Sequence, residues 1–230
     1  LPAIVTITLA LSVNRILRRG AVIRKLHAVE TLGCAGVICT DKTGTITQNK
    51  MTVQRIWVPG RTLNVSGSGY RAQGAVEENG RPVQAARDAA LGRLCEAASL
   101  CTTAHITRAK DVYDVMGDPT EVAVLVAAAK AGVTKEALLQ QYTVIGENPF
   151  DAARKRMSVT VSGPGGVRLL CKGAPDMLLA RCTHIETPAG PRLLAPRDRA
   201  DINAACARMA GEALRVLGFA ESSTPAAGEE

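Results

Sequence analysis

The strongest constraint on the fold is the apolar run Gly36-Val37-Ile38-Cys39-Thr40, which ends directly on Asp41-Lys42-Thr43-Gly44-Thr45. A short β-rich run without polar alternation is the pattern of a strand buried on both faces of a parallel sheet. In open α/β sheets the functional crevice lies off the carboxyl ends of the strands, which is where Asp41 falls. A carboxylate there can act as a nucleophile. Gly44 leaves room for backbone to approach phosphate oxygens, Thr43 and Thr45 bring hydroxyls, and Lys42 brings a cation near developing charge. The same five residues also suit a plain turn that closes a strand. On the residues alone both readings stand.

The chain has 230 residues, enough for one large domain or two small ones with a real core. Its 47% apolar and 21% charged content excludes wholesale disorder and fibrous repeats. A net charge of +7 suits anionic partners without choosing among nucleotides, nucleic acid and lipid headgroups. Aromatic residues are only 3%, against a single-strand-binding surface of stacked rings, and no nucleic-acid recognition motif occurs. The 7 cysteines form no C-x-x-C pair and read as reduced, mostly buried thiols of a cytosolic compartment. His27, His105 and His184 are scattered.

Leu1 to Leu11 is an uncharged apolar run followed by Arg15, Arg18, Arg19, Arg24 and Lys25. A spanning helix needs roughly 20 such residues, so the run is about half of one, with basic residues where a cytoplasmic flank would be. A buried N-terminal element of a soluble domain explains it equally well. Residues 221–230 read as a flexible tail, and both ends look like cuts through something longer.

From Val53 to Leu214 short β-rich runs alternate with amphipathic helices, as in an α+β domain. Met157–Val161, the turn Gly163-Pro164-Gly165-Gly166 and Val167–Cys171 predict a hairpin. Helices are expected over Ala85–Thr103 and Asp201–Leu214, and a loop over Gly67–Gly80. Asp118, Pro119 and Glu121 make a capping-box-like start to a helix over Val122–Ala131, closed by Gly132. Phe150, followed by Arg154, Lys155 and Arg156, is either a stacking ring beside a positive rim or a core residue beside a solvated basic face. A strand is expected to end at Cys171, which places Lys172 beside Gly173 and a helix-opening Pro175, where anions are favoured, or makes it an exposed strand-end lysine.

Asp41-Lys42-Thr43-Gly44-Thr45-Ile46-Thr47, continued by Gln48 to Val53, resembles the phosphorylation signature of the P-type ATPases. Val29-Glu30-Thr31-Leu32-Gly33 and Leu1-Pro2-Ala3 match the calcium-pump-like branch, whose fourth membrane helix unwinds at Pro-Glu-Gly-Leu-Pro. The chain begins at the Leu of that motif, so the ion-binding glutamate before it is expected to lie outside these residues. Gly117-Asp118-Pro119-Thr120-Glu121, Pro149–Val159, Leu169–Asp176 and Leu214–Ala220 resemble the family's nucleotide-domain motifs. Ala152 departs from the reticulum calcium pumps, which carry an arginine two residues after the phenylalanine.

The resemblance implies an α/β and α+β architecture. Residues 1–20 would be the cytoplasmic half of a truncated membrane helix. Residues 21–55 would begin a haloacid-dehalogenase-like, Rossmannoid phosphorylation domain. Residues 56–220 would be an inserted α+β nucleotide-binding domain on an antiparallel sheet. It further implies autophosphorylation of Asp41 from ATP and Mg²⁺, with Lys42 and Thr45 steadying the phosphate and Asp41 and Thr43 as metal ligands. Phe150 would stack on adenine, Glu121 would meet its amino group, and Lys155, Lys172, Gly173 and Arg215 would line the rest of the site. The full-length protein would be a multi-pass membrane pump with this region on the cytoplasmic side. Its cation would be calcium or, in the same branch, manganese, sodium, potassium or protons, bound outside these residues.

The Thr-Gly-Asp, Gly-Asp-Gly-x-Asn-Asp and Thr-Gly-Glu-Ser motifs of the family do not occur, so these residues alone are expected to lack turnover. Two rivals remain. A soluble phosphatase of the same superfamily usually has a second aspartate where Thr43 stands, and a nucleotide-binding module would bind ATP without a phosphoenzyme.

Overall fold

The computed structural model describes residues 2–223. Contacts divide them into two compact units, one up to Gln48 and one from Asn49. The second unit thus begins before residue 56, where the sequence places the inserted domain.

In the first unit the apolar run forms helix α1 (Pro2–Leu17), and a short α2 (Ala28–Gly33) follows. The hydroxyls of Thr6, Thr8 and Ser12 donate to the carbonyls four residues earlier, so these polar groups need no outside partner. Ile4, Val5, Ile7 and Leu11 are exposed, which removes the alternative of a buried N-terminal element within this unit. No helix of the described residues is long and apolar enough to cross a membrane.

The doubly buried strand expected at Gly36–Thr40 is not formed. The segment is unpaired, and Val37 and Ile38 are 82% and 83% exposed. A parallel strand exists only through its neighbours, and the described residues of this unit contain no second strand. The phosphorylation-domain sheet is therefore absent from this unit as described.

The second unit runs β1 (Arg55–Val58), β2 (Arg61–Val65), β3 (Val76–Glu78), β4 (Arg81–Pro82), α3 (Ala89–Leu100), β5 (His105–Ala109), β6 (Val112–Met116), α4 (Pro119–Lys130) and α5 (Lys135–Leu139). It continues with β7 (Thr143–Asp151), β8 (Arg156–Gly163), β9 (Gly166–Gly173), α6 (Pro175–Leu179), β10 (His184–Ile185), β11 (Arg192–Leu193), α7 (Pro196–Gly211) and β12 (Gly218–Ser222). All strand pairs are antiparallel. The two larger sheets have the orders β1-β2-β3-β4 and β12-β9-β8-β7. Mixed helices and antiparallel sheets make this an α+β unit.

The predicted hairpin is β8–β9, turning through Pro164 and Gly165 between the paired Gly163 and Gly166. The loop expected over Gly67–Gly80 includes β3. β12 runs to Ser222, two residues into the expected tail, and residues 224–230 lie outside the described residues.

Helix α3 organises the core because two of its faces are apolar. Asp88 caps its start, accepting from the Leu91 amide at 3.1 Å. Leu91 and Cys95 pack with Leu63, Val76 and Ala128, while Ala97, Leu100 and Cys101 pack with Met157, Val161 and Leu170 of the second sheet. A third cluster joins Tyr70, Ala104, Ile106, Val122 and Leu125. Alternation along β9 turns Arg168, Leu170 and Lys172 to one buried face. Arg168 is buried and donates to Glu96 of α3 and to Glu221 of β12, the latter at 3.1 Å, with its guanidinium 5.1 Å from the Tyr142 ring centre. The cysteines correct the mostly buried expectation. All 7 are free, but only Cys95 and Cys101 are buried, and Cys34 and Cys39 are exposed.

Leu170 is fully enclosed between α3 and the second sheet. Replacing it with alanine should cost about 2–5 kcal/mol, read as a lower urea midpoint with an unchanged slope.

Candidate functional site

In the first unit Asp41 precedes a wide turn over Lys42–Ile46. The Lys42 amide donates to Asp41 Oδ1 at 2.7 Å, and the Thr47 amide closes the turn onto the Lys42 carbonyl at 3.0 Å. Gly44 sits at φ +76°, a left-handed conformation that a Cβ would penalise. The turn leaves Asp41, Lys42, Thr43 and Thr45 all exposed. The carboxylate is oriented by one backbone donor and otherwise open.

In the second unit Glu121, Lys155, Lys172 and Gly173 come together at the end of β9. Asp118 caps α4, accepting from the Thr120 amide at 2.8 Å, and Pro119 opens the helix. Glu121 does not complete a capping box. Its carboxylate leaves its own helix for the turn that follows α3. There Oε2 accepts from the Thr102 hydroxyl at 2.8 Å, the Thr103 amide at 3.0 Å, the Thr103 hydroxyl at 2.9 Å and the Ala104 amide at 2.9 Å. Oε1 accepts from the Lys172 ammonium in a close ion pair. Burial pushes the Glu121 carboxyl up, but the hydrogen bond and charge of Lys172, with the Thr102 and Thr103 hydroxyls, outweigh it and hold its pKa at about 2.

Lys172 is therefore not the exposed strand-end lysine of the plainer reading. It is buried, with Met157 and Phe219 as its cross-strand neighbours. Gly173, next along β9, is needed for close approach. A Cβ there would come within 2.5 Å of the Lys155 carbonyl oxygen. That carbonyl accepts from the Ala174 amide at 3.0 Å, which ties the β7–β8 turn to the end of β9.

The turn itself is locked by Asp151, whose carboxylate accepts from the Ala153 and Arg154 amides at 3.0 and 2.8 Å. Lys155 is exposed on this turn at φ +51°. Phe150 lies in the irregular end of edge strand β7 and is 59% exposed, so the core alternative fails. Arg215 is exposed and lies before β12 rather than in it. No contact of its side chain with the others is present among the described residues.

Residue-by-residue reading of the sequence missed Thr102, Thr103 and Lys135. The Lys135 ammonium is buried and donates to the carbonyls of Thr102 and Ala104 at 2.7 and 2.9 Å. Burial lowers its pKa. Thr134 caps this helix, its hydroxyl accepting from the Ala137 amide at 3.4 Å, and nothing in the local sequence says that the next side chain turns inward.

What this arrangement can do follows from its donors. Glu121 Oε2 is saturated by four donors, whereas Oε1 has one and keeps a lone pair. Oε1 can therefore accept from one more donor group.

The model of the P-type ATPase cytoplasmic domain N matches residues 90–229. The chain is 42% identical over 96% of its length to a calcium-transporting ATPase of Bacillus subtilis, covering 25% of that protein. It is 38% identical over 97% of its length to the cation-transporting ATPase pma1 of Synechocystis, again covering 25%. It is 37% identical over 96% of its length to the human calcium-transporting ATPase type 2C member 1, covering 24%. The chain thus spans about a quarter of the length of these relatives.

The depressed Glu121 pKa fixes the sign of a pH effect. Its stabilisation is complete above the ordinary carboxylate value of 4.5 and is lost as pH falls towards about 2. Urea unfolding at pH 7 and pH 3 should show stability falling with acid, and Glu121→Gln should remove part of that difference while lowering stability at pH 7.

Proposed function

Because the chain belongs to the P-type ATPases, we propose that it is the phosphoryl-accepting and nucleotide-binding portion of an ATP-driven cation pump, with calcium the transported ion. The observation that carries this reading is the open Asp41 carboxylate, held by the Lys42 amide at the mouth of a Gly44 turn. The names of the calcium-transporting relatives support the choice of ion.

In the reaction an Asp41 oxygen attacks the γ-phosphorus of ATP. A new O–P bond forms, the bond to the bridging oxygen breaks, and ADP leaves with that electron pair. The Lys42 amide orients the carboxylate. The exposed Lys42 ammonium and Thr45 hydroxyl are available to the phosphoryl oxygens. The Asp41 carboxylate and Thr43 carbonyl, on the same exposed turn, are hard oxygen donors of the kind Mg²⁺ takes. When bound, the ion offsets charge on the transferring group.

The nucleotide is held by the second unit. Phe150 offers a ring face to adenine, and Glu121 Oε1 accepts from its amino group. Lys155 supplies positive charge on the neighbouring turn, with Lys172 and Gly173 at the floor of the site and Arg215 nearer the phosphates. Phosphorylation then drives the transport step in the membrane part of the pump. Residues 1–20 are read as the cytoplasmic half of one of its helices.

Two tests follow. In the complete pump, labelled phosphate from γ-labelled ATP should be trapped on the protein, and Asp41→Asn should abolish the label. Labelling that survives the substitution would overturn the assignment of Asp41. In this chain Phe150→Ala should weaken ATP binding about tenfold, the scale of one lost stacking contact. The melting temperature should barely change, since the ring is exposed.

A further inference from the structure

Lys135 lies on α5 and is not among the residues that the proposed nucleotide site uses. Its ammonium satisfies two buried carbonyls, those of Thr102 and Ala104, at 2.7 and 2.9 Å. The intervening turn carries the four donors that saturate Glu121 Oε2: two hydroxyls, of Thr102 and Thr103, and two amides, of Thr103 and Ala104. The two ends of this short turn thus face opposite ways, carbonyls to Lys135 and donors to Glu121. The Thr102 carbonyl and the Thr103 N–H belong to one peptide plane, which cannot turn its N–H towards Glu121 without turning its C=O away, so those two bonds fix one another. The Ala104 N–H and C=O lie in the two successive planes and are coupled through the Ala104 backbone.

We infer that Lys135 is a positioning residue for base recognition: by holding the Thr102 and Ala104 carbonyls it keeps Glu121 Oε2 saturated and leaves Oε1 as the acceptor for an exocyclic amine. This deepens the nucleotide reading of the site and rests on it. Loss of the ammonium would strand two buried carbonyls, and the turn would relieve them by rotating its peptide planes. Glu121 would then lose donors from Oε2 and pivot about Lys172. An adenine amino group is a donor and needs Oε1 presented. The hypoxanthine oxygen of ITP is an acceptor at the same place and gains nothing from it. Lys135 therefore acts on the choice of base and not on general affinity for a polyphosphate.

Calorimetric Kd values for ATP and ITP on this chain, with Lys135→Met, Glu121→Gln and the double variant, test the inference. Lys135→Met should weaken ATP about tenfold and ITP less than about twofold, and should add nothing in the Glu121→Gln background. Lys135→Arg, which keeps a cation with donors for both carbonyls, should restore the preference for ATP. Equal weakening of ATP and ITP, or a Lys135→Met effect that persists beside Glu121→Gln, would overturn the role.

A ligand-free readout separates this role from the nucleotide reading itself. The Thr103 and Ala104 amide signals should move in Lys135→Met in the direction that Glu121→Gln moves them. Failure of the unsubstituted chain to bind ATP would sink the nucleotide reading. Unmoved amides in Lys135→Met would sink the positioning role whatever the chain binds. If Lys135→Met does not fold, Lys135→Gln, able to satisfy one carbonyl, should shift the same amides by a smaller amount.

Discussion

The second unit depends on one buried ionic cluster. Glu121 leaves the helix that carries it to join α4, the turn after α3 and strand β9 through five accepted hydrogen bonds. Buried charges are costly unless paired and fully hydrogen-bonded. Here the cost is offset by saturating one carboxylate oxygen and giving the other to Lys172. The result fixes the end of β9, and Gly173 then lets the Lys155 turn close down on it. On the proposed reading the same cluster also orients a site, because the remaining lone pair of Oε1 can accept only from a donor group.

On the proposed reading the two units carry different parts of the chemistry. The first presents Asp41 on an exposed turn, and the second presents an aromatic edge, a basic turn and a carboxylate acceptor. Such a division suits phosphoryl transfer, in which most of the protein's contribution is positioning and charge stabilisation. Among the described residues the first unit has no sheet to cover Val37 and Ile38, the side chains that a parallel strand at Gly36–Thr40 would bury.

What could be read from the sequence was mostly local. The β8–β9 hairpin followed from alternation around a Gly-Pro-Gly-Gly turn, and the start of α4 from Asp118 and Pro119, because turn and cap chemistry act over a few residues. Glu121 was marked both as a helix cap and as a site residue. Its place in an ion pair was invisible, since Lys172 lies 51 residues away and the donors of the α3 turn 17 to 19. Gly36–Thr40 has the composition of a central strand, but a strand needs partners, and none is supplied within the described part of its unit. Phe150 shows the opposite limit. Its residues left a stacking ring and a core place both open, and the irregular edge of β7 shows the ring to be exposed. Lys135 had no signal at all, because a lysine in a short amphipathic helix is ordinarily solvent-facing.

The most direct measurement is a two-dimensional amide NMR titration of this chain with MgATP. Saturable shifts should concentrate at Phe150, the Ala152–Lys155 turn, Gly173 and the Thr102–Ala104 turn, with little change along α7. Shifts that gather elsewhere, or none at millimolar nucleotide, would contradict the claim that the Glu121–Lys172 cluster is the floor of an adenine site.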